Sequence, residues 1–110
     1  MVFASRGGKT AELLPIMNIC KPKGVKIITV TENLASPLAL GADVVLKQYV
    51  NRETDKYNSQ GTTSSTALCM IFHALQTALI EETDYQNEQF ALIHPGGAVG
   101  ESLNSKNQKN

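Results

Sequence analysis

A single stretch, residues 60–82, constrains the fold of this 110-residue chain more than any other. It begins with a run of hydroxyl side chains and continues almost without charge through the apolar residues Ala67, Leu68, Met70, Ile71, Phe72, Leu75, Leu79 and Ile80. About twenty residues without proline fit one long helix. Because a helix that is apolar nearly all round is usually buried, the stretch predicts a central helix covered by other elements.

The hydroxyl run consists of Thr62, Thr63, Ser64 and Ser65. It falls at the start of the predicted helix, where the first backbone N–H groups lack partners within the helix. One serine or threonine is enough to cap such an end. A helix start also attracts phosphate or carboxylate, because it carries partial positive charge. Capping and anion binding are therefore both open from this stretch alone.

Composition restricts the class of protein. The chain is long enough for one small domain, and its ten basic and ten acidic residues leave no basic footprint for nucleic acid. Polar residues interrupt the central stretch, so we predict no membrane span.

No charged-then-apolar leader opens the sequence. Cys20 and Cys69 lie far apart and predict reduced thiols in a cytoplasmic protein, and no Cys/His cluster has the spacing of metal ligands.

Three short apolar runs predict strands at residues 2–4, 25–31 and 43–46, the second being the clearest because it is rich in β-branched residues. Helical patterns separate them. Ser36 and Pro37 are typical of an N-cap followed by the first helical position, in a helix that ends at Gly41. Strands that alternate with helices predict an α/β fold with three layers and a parallel sheet.

The loop at residues 5–10 follows the first predicted strand and precedes a helix. Its Gly-Lys-Thr could suggest a nucleotide-binding P-loop, but that motif needs a glycine where Phe3 stands, so the spacing excludes it. What remains is a loop whose glycines permit close backbone approach and whose hydroxyls can donate to an anion. A plain tight turn with Thr10 as N-cap is the alternative.

Glu53 and His94 have ordinary interpretations when each is considered alone. Glu53 lies in a polar loop, where a carboxylate is usually solvated. His94 ends a predicted helix at residues 87–93, where an imidazole can interact with the helix dipole. From Asn104 onward no apolar residue occurs, so residues 104–110 are predicted to be a disordered polar tail.

Four blocks in order resemble the sugar isomerase (SIS) domain family, most closely its KpsF/GutQ-type arabinose-5-phosphate isomerases. Residues 5–12 (SRGGKTAE) are similar to the family's Ser-x-Ser-Gly-x-Thr-x-Glu loop, and residues 41–46 (GADVVL) to its Ala-Asp-x-x-Leu strand. Glu53 with residues 63–66 (TSST) is similar to its Glu-Ala-Cys…Thr-Ser-Ser-Thr segment. Residues 94–100 (HPGGAVG) are similar to its His-Pro-Gly-Gly-Ala-Leu-Gly motif.

This resemblance implies a flavodoxin-like sheet flanked by helices, and assembly into homo-oligomers, either dimers or tetramers. It implies that a sugar phosphate is held by Ser5, Gly7, Gly8, Thr10, Thr63, Ser64, Ser65 and Thr66. It also implies that Glu53 and His94 carry the acid–base chemistry of an aldose–ketose isomerisation through an enediol. A carboxylate and a histidine suffice for this chemistry, so no cofactor and no metal are expected.

The chain departs from the family pattern at three places. Gly7 stands where the family has a second serine, and Thr54 and Asp55 replace Ala-Cys after the glutamate. The family's first strand and its glycine-rich turn would precede Met1, so residues 1–103 are expected to be an incomplete SIS domain that is marginally stable or self-associates. A phosphosugar-binding module without catalysis and an inactive remnant are the alternatives to an isomerase.

Overall fold

The computed structural model describes residues 1–107, and it forms two compact units, Met1–Ile71 and the part from Phe72 onward. The elements in chain order are β1 (Val2–Ala4), α1 (Leu13–Cys20), β2 (Ile28–Thr31), α2 (Pro37–Leu40), β3 (Val44–Lys47), α3 (Thr63–Thr83), α4 (Asn87–Ile93) and α5 (Ala98–Asn107). The boundary between the units falls within α3. The first unit contains the sheet, and the second contains α4 and α5.

The sheet has three parallel strands in the order β1-β2-β3, which confirms the predicted α/β class with a parallel sheet. Its register places Phe3 opposite Thr29, and Thr29 opposite Val45. Because the strands are parallel, their carboxyl ends meet at one edge. That edge carries the loops that follow Ala4, Thr31 and Lys47.

The predicted strand at residues 25–31 is shorter in the structure, where β2 begins at Ile28. The N–H of Val25 donates to the carbonyl of Cys20 at 3.2 Å, which closes the turn after α1. The N–H of Ile27 donates to Asp43 Oδ2 at 2.9 Å. These bonds join Val25 and Ile27, which precede β2, to the end of α1 and to Asp43. The strand therefore begins later than the side chains of residues 25–27 predict.

The core of the first unit lies between the sheet and the helices α1 and α2, and consists of Phe3, Met17, Cys20, Ile27 and Leu38. Ser36 caps α2, since its hydroxyl accepts the N–H of Ala39 at 3.3 Å and Pro37 occupies the first turn. The predicted start of α2 is therefore confirmed. Cys20 is buried, Cys69 is exposed, and both are free thiols.

Helix α3 contradicts the prediction of a buried central helix. Ser64 is its one buried residue, whereas the exposed fraction is 68% for Met70 and 60% for Leu79. The core enclosed by the three strands and two short helices of the first unit contains no residue of α3. The composition of a helix indicates whether its side chains favour burial. Burial also requires other elements that pack against the helix.

By length and composition, α3 is also long and apolar enough to cross a membrane, which differs from the prediction made from its polar interruptions. One helix of this kind is weak evidence, because core helices of soluble proteins satisfy the same criterion. Its first turn is joined by hydrogen bonds to the loop that precedes it.

In the second unit, α4 has the predicted bounds, residues 87–93. Gln86 and Gln89 form a reciprocal capping box at its start. Helix α5 extends to Asn107, so residues 104–107 are helical and differ from the predicted disordered tail. Residues 108–110 of that tail lie outside the described residues.

Candidate functional site

The loop at residues 5–10 is held by its own hydroxyls and by a glycine with positive φ. The hydroxyls of Ser5 and Thr10 are hydrogen-bonded at 2.8 Å, and the N–H of Gly8 donates to Ser5 Oγ at 3.1 Å. Gly8 has a φ of 65°, a conformation that L side chains rarely adopt. Its carbonyl accepts the N–H of Leu38 at 3.2 Å, which joins the loop to α2. Gly7 has open space around its Cα.

Glu53 is the most heavily bonded side chain near this loop, and 1% of its surface is exposed. Its Oε1 accepts from Arg6 Nη1 at 2.9 Å. Its Oε2 accepts from the N–H of Thr62 at 3.0 Å, the hydroxyl of Thr62 at 3.1 Å and the N–H of Ser64 at 3.0 Å. The carboxylate therefore caps the start of α3 from the preceding loop, a role that the sequence had left open for the hydroxyls.

Hydrogen bonds lower the pKa of Glu53 to about 2. The hydroxyl and the N–H of Ser64 are the largest contributions, and the N–H and hydroxyl of Thr62 act in the same direction. Burial raises the pKa but is outweighed. Glu53 is consequently ionised at neutral pH.

Two side chains that sequence reasoning did not assign to the site shape the loop around Glu53. The carboxylate of Asp55 accepts the N–H groups of Tyr57, Ser59 and Gln60 at 2.9–3.0 Å, which lowers the pKa of Asp55. Asn58, at a φ of 58°, accepts the N–H of Glu53 with its side-chain oxygen at 2.6 Å. Aspartate and asparagine favour such local turns, so their frequency in residues 51–59 was the available signal.

Arg6 is the third residue that sequence reasoning missed. Its Nε donates to Glu32 Oε2 at 2.7 Å while Nη1 reaches Glu53. Glu32 follows β2 directly, so Arg6 joins the loops after all three strands. Both carboxylates raise the pKa of Arg6, with the hydrogen bond to Glu32 as the largest cause.

A cleft of about 180 Å³ lies at the same edge of the sheet, and we call it the serine cleft. It is lined by Ala4, Ser5, Arg6, Gln48, Ser64, Ser65 and Leu68. Gln48 is buried and donates to the carbonyl of Ser64 at 2.6 Å, which fixes one wall. Residues of the loop after β1 and of the start of α3 thus line the same cleft.

The other predicted phosphate ligands do not line the serine cleft together with Ser5, Ser64 and Ser65. Thr63 and Thr66 line a separate open depression of about 560 Å³ together with Thr54, Thr62, Ala67 and Met70. Gly7, Gly8 and Thr10 lie in the loop behind Ser5 and do not line the serine cleft. Within residues 1–107, the backbone N–H groups of Thr63 and Ser65 have no hydrogen-bond partner, so they remain available at the start of α3.

His94 belongs to the second unit and lies at the end of α4. Its N–H donates to the carbonyl of Phe90 at 3.1 Å, and the two rings are 4.5 Å apart between centroids. Gly100 lies against the carbonyl of His94, where a Cβ atom would overlap the backbone. The turn after α4 is therefore closed tightly over the histidine backbone, and its imidazole is exposed.

Comparisons with known proteins assign a family. Residues 1–78 match the model of the SIS domain. An arabinose 5-phosphate isomerase KdsD of Pseudomonas aeruginosa is 38% identical over 99 residues, which is 90% of this chain and 30% of that protein. An arabinose 5-phosphate isomerase KpsF of Escherichia coli is 37% identical over 103 residues, or 94% of this chain and 32% of that protein.

The fold of this chain is also similar to the folds of solved protein structures. A Listeria monocytogenes protein superposes with a TM-score of 0.81 at 40% identity, over 86% of this chain and 50% of its own. A protein of Escherichia coli CFT073 in complex with arabinose 5-phosphate superposes with a TM-score of 0.78 at 30% identity, over the same shares of the two chains. This chain spans about a third of the length of the curated relatives and half of these solved chains.

Proposed function

This chain belongs to the SIS domain family, and we propose that it is the phosphosugar-binding part of a sugar-phosphate aldose–ketose isomerase of the arabinose 5-phosphate type. Two arabinose 5-phosphate isomerases and a neighbour in complex with arabinose 5-phosphate support this choice of substrate. The proposal rests on one observation, the serine cleft at the carboxyl ends of three parallel strands. Ligands of open α/β sheets bind at that edge.

In this proposal, the substrate phosphate contacts Ser5, Ser64 and Ser65 in the serine cleft. Gly7, Gly8 and Thr10 belong to the loop that positions Ser5, and Thr63 and Thr66 belong to the same start of α3. Ser5 and Ser65 line the serine cleft from opposite walls. The free N–H of Ser65 adds a donor at the positive end of α3. Arg6 also lines the cleft, but its Nε and Nη1 donate to Glu32 and Glu53, so we do not assign it to the phosphate.

Glu53 and His94 are proposed as the acid–base pair of the isomerisation. The reaction moves a proton between adjacent carbons, so one group must remove a carbon-bound proton and another must move protons between oxygens. Glu53, ionised at neutral pH, would take the carbon-bound proton. His94 would serve the oxygens, because one ring nitrogen of a neutral imidazole donates a hydrogen bond while the other accepts one.

A specific observation favours a second function, phosphosugar binding without catalysis. Glu53 is buried and already accepts four hydrogen bonds. A carboxylate with a pKa of about 2 is a weak base, since general bases work best near the operating pH. In this alternative, Glu53 only caps α3 and the chain is a regulatory module or an inactive remnant.

Binding by the chain tests the proposal. We expect arabinose 5-phosphate to shift the NMR signals of the Ser5 and Ser65 amides, while the amides of Gly24 and Lys26, at the other end of the sheet, stay unchanged. Ser65→Ala should weaken binding roughly tenfold, the usual effect of losing one hydrogen bond to a charged group. Unphosphorylated arabinose is the control for the sugar. If neither arabinose 5-phosphate nor inorganic phosphate moves these signals at millimolar concentration, the phosphosugar site is wrong.

We also propose that the protein is a cytoplasmic homo-oligomer. The exposed apolar side chains of α3 support association, since Met70, Leu79 and Ile80 are each more than a third exposed. We expect sedimentation velocity to show species larger than a monomer at micromolar concentration. Met70→Glu combined with Leu79→Glu should shift the distribution toward the monomer. A wild-type monomer at all concentrations would contradict this part of the proposal.

A further inference from the structure

The two oxygens of the Glu53 carboxylate are not equivalent. Oε2 accepts three hydrogen bonds, all from Thr62 and Ser64 at the start of α3. Oε1 accepts one among the described residues, from Arg6 Nη1 at 2.9 Å. An ionised carboxylate offers about four lone-pair sites, two on each oxygen. Oε2 is therefore held by the start of α3, whereas the bond to Arg6 is on Oε1.

Arg6 is itself held from a second side. Its Nε donates to Glu32 Oε2 at 2.7 Å, and about a third of its side chain is exposed, 34%. Two anchors at different nitrogens fix the plane of the guanidinium, because its donors have a rigid fork geometry. The rotation of the Glu53 carboxylate is in turn fixed, since Oε2 is bonded to the backbone of α3 and Oε1 to Arg6.

We propose that Arg6 is a positioning residue for Glu53, which it orients so that Oε1 is the oxygen that takes the proton from the substrate carbon. This inference rests on the proposed isomerase function. In the step, the C–H bond breaks, an O–H bond forms on Oε1, and the electron pair moves toward the adjacent carbonyl to give the enediolate. Oε2 stays bonded to α3 throughout and prevents the carboxylate from turning.

Arg6 also opposes the proton transfer, because it weakens Glu53 as a base, and this effect can be measured. A positive charge next to Oε1 stabilises the ionised form and weakens the base. Loss of Arg6 therefore has two opposed effects on the proton transfer: a stronger base and a disordered one. Effective molarities of well-oriented groups are large, so we expect the loss of orientation to outweigh the gain in base strength.

Four variants separate these effects in the isomerase assay. We expect Arg6→Gln to lower kcat at least tenfold with less than a threefold change in KM. Arg6→Lys should recover part of kcat, because an ammonium reaches one carboxylate but does not span both. Glu32→Gln should give a smaller loss than Arg6→Gln, since it removes only the outer anchor. Lys26→Gln is the matched control: it breaks an exposed salt bridge of 2.9 Å with Asp43, the residue before β3 at the opposite end of the strands.

A kcat of Arg6→Gln within twofold of the wild type would overturn the inference. A large rise in KM with unchanged kcat would overturn it as well, because Arg6 would then bind substrate instead of positioning Glu53. These outcomes presuppose an active wild type. Absence of any aldose–ketose activity would instead refute the proposed function.

A second measurement does not depend on activity. Carbon-detected NMR titration of the Glu53 carboxyl should show its pKa rising in Arg6→Gln, while Lys26→Gln leaves it unchanged. The charged groups around Glu53 are Arg6, Glu32 behind Arg6, Arg52, whose Nε donates to the Glu53 carbonyl at 3.2 Å, and Asp55 in the same loop. An unchanged Glu53 titration in Arg6→Gln would overturn the positioning role even if the chain proves to be a binding module only.

Discussion

Replacing Glu53 by glutamine will lower aldose–ketose turnover at least about a hundredfold, the usual effect of losing an acid–base group. His94→Ala should lower it by a similar factor. Glutamine keeps the size of the side chain but removes the proton acceptor. It also places an amide NH₂ against either Arg6 Nη1 or the N–H groups of Thr62 and Ser64, all of which are donors.

The measurement is the interconversion of arabinose 5-phosphate and ribulose 5-phosphate by the longest natural polypeptide that contains this sequence. Binding of arabinose 5-phosphate to each variant is the control, and His94→Ala should retain it because Ser5 and Ser65 are unchanged. Glu53→Asp keeps the charge, so a similar loss in that variant would show that position matters as much as ionisation. Near-wild-type turnover in Glu53→Gln or in His94→Ala would remove that residue from the mechanism.

Gly8→Ala should destabilise the first unit by about 2–5 kcal/mol. An L-residue at positive φ costs about 1–2 kcal/mol. The new Cβ would also overlap the buried side chain of Ser36, and overpacking of this kind costs about 1–3 kcal/mol. Ser36 has little freedom to move, because its hydroxyl caps α2.

Gly7→Ala is the matched control for this prediction. No atom lies within 4 Å of a Cβ built at Gly7, and its φ is not positive, so the change in the free energy of unfolding should stay within about 0.5 kcal/mol. Urea denaturation followed by circular dichroism compares the two variants. Equal midpoints for Gly7→Ala and Gly8→Ala would contradict the contact between Gly8 and Ser36.

Local sequence signals predicted much of the fold. The β-branched run before Glu32 predicted β2, and Ser36 with Pro37 predicted the start of α2, because both signals act within a few residues. Of the residues that the resemblance assigned to the phosphate, Ser5, Ser64 and Ser65 line the serine cleft, and their role as phosphate ligands stays a prediction. The cleft lies at the carboxyl ends of the strands, because parallel strands bring those ends to one edge of the sheet.

Features that depend on distant residues were beyond sequence reasoning. Arg6 and Glu53 are 47 residues apart, and neither carries a local signal that names the other as its partner. For the same reason, Glu53 was interpreted as a catalytic candidate and not also as the cap of α3. The exposure of α3 was missed because burial depends on how many other elements are present to cover a helix. The catalytic roles of Glu53 and His94 stay predictions.

The ion cluster of Arg6, Glu32 and Glu53 has a consequence for experiments on folding. Each member follows a different strand, so the cluster assembles only when all three strands are in register. The pKa of Glu53 reports on one part of this assembly, the contact with the start of α3: it is about 2 when Ser64 and Thr62 bond to the carboxylate and near 4.5 when they do not. Since the folded value is the lower one, the stability gained from Glu53 is complete above pH 4.5 and is lost as the pH falls toward 2. The resonance of the Glu53 carboxyl carbon thus distinguishes molecules in which this contact is formed from molecules in which it is not.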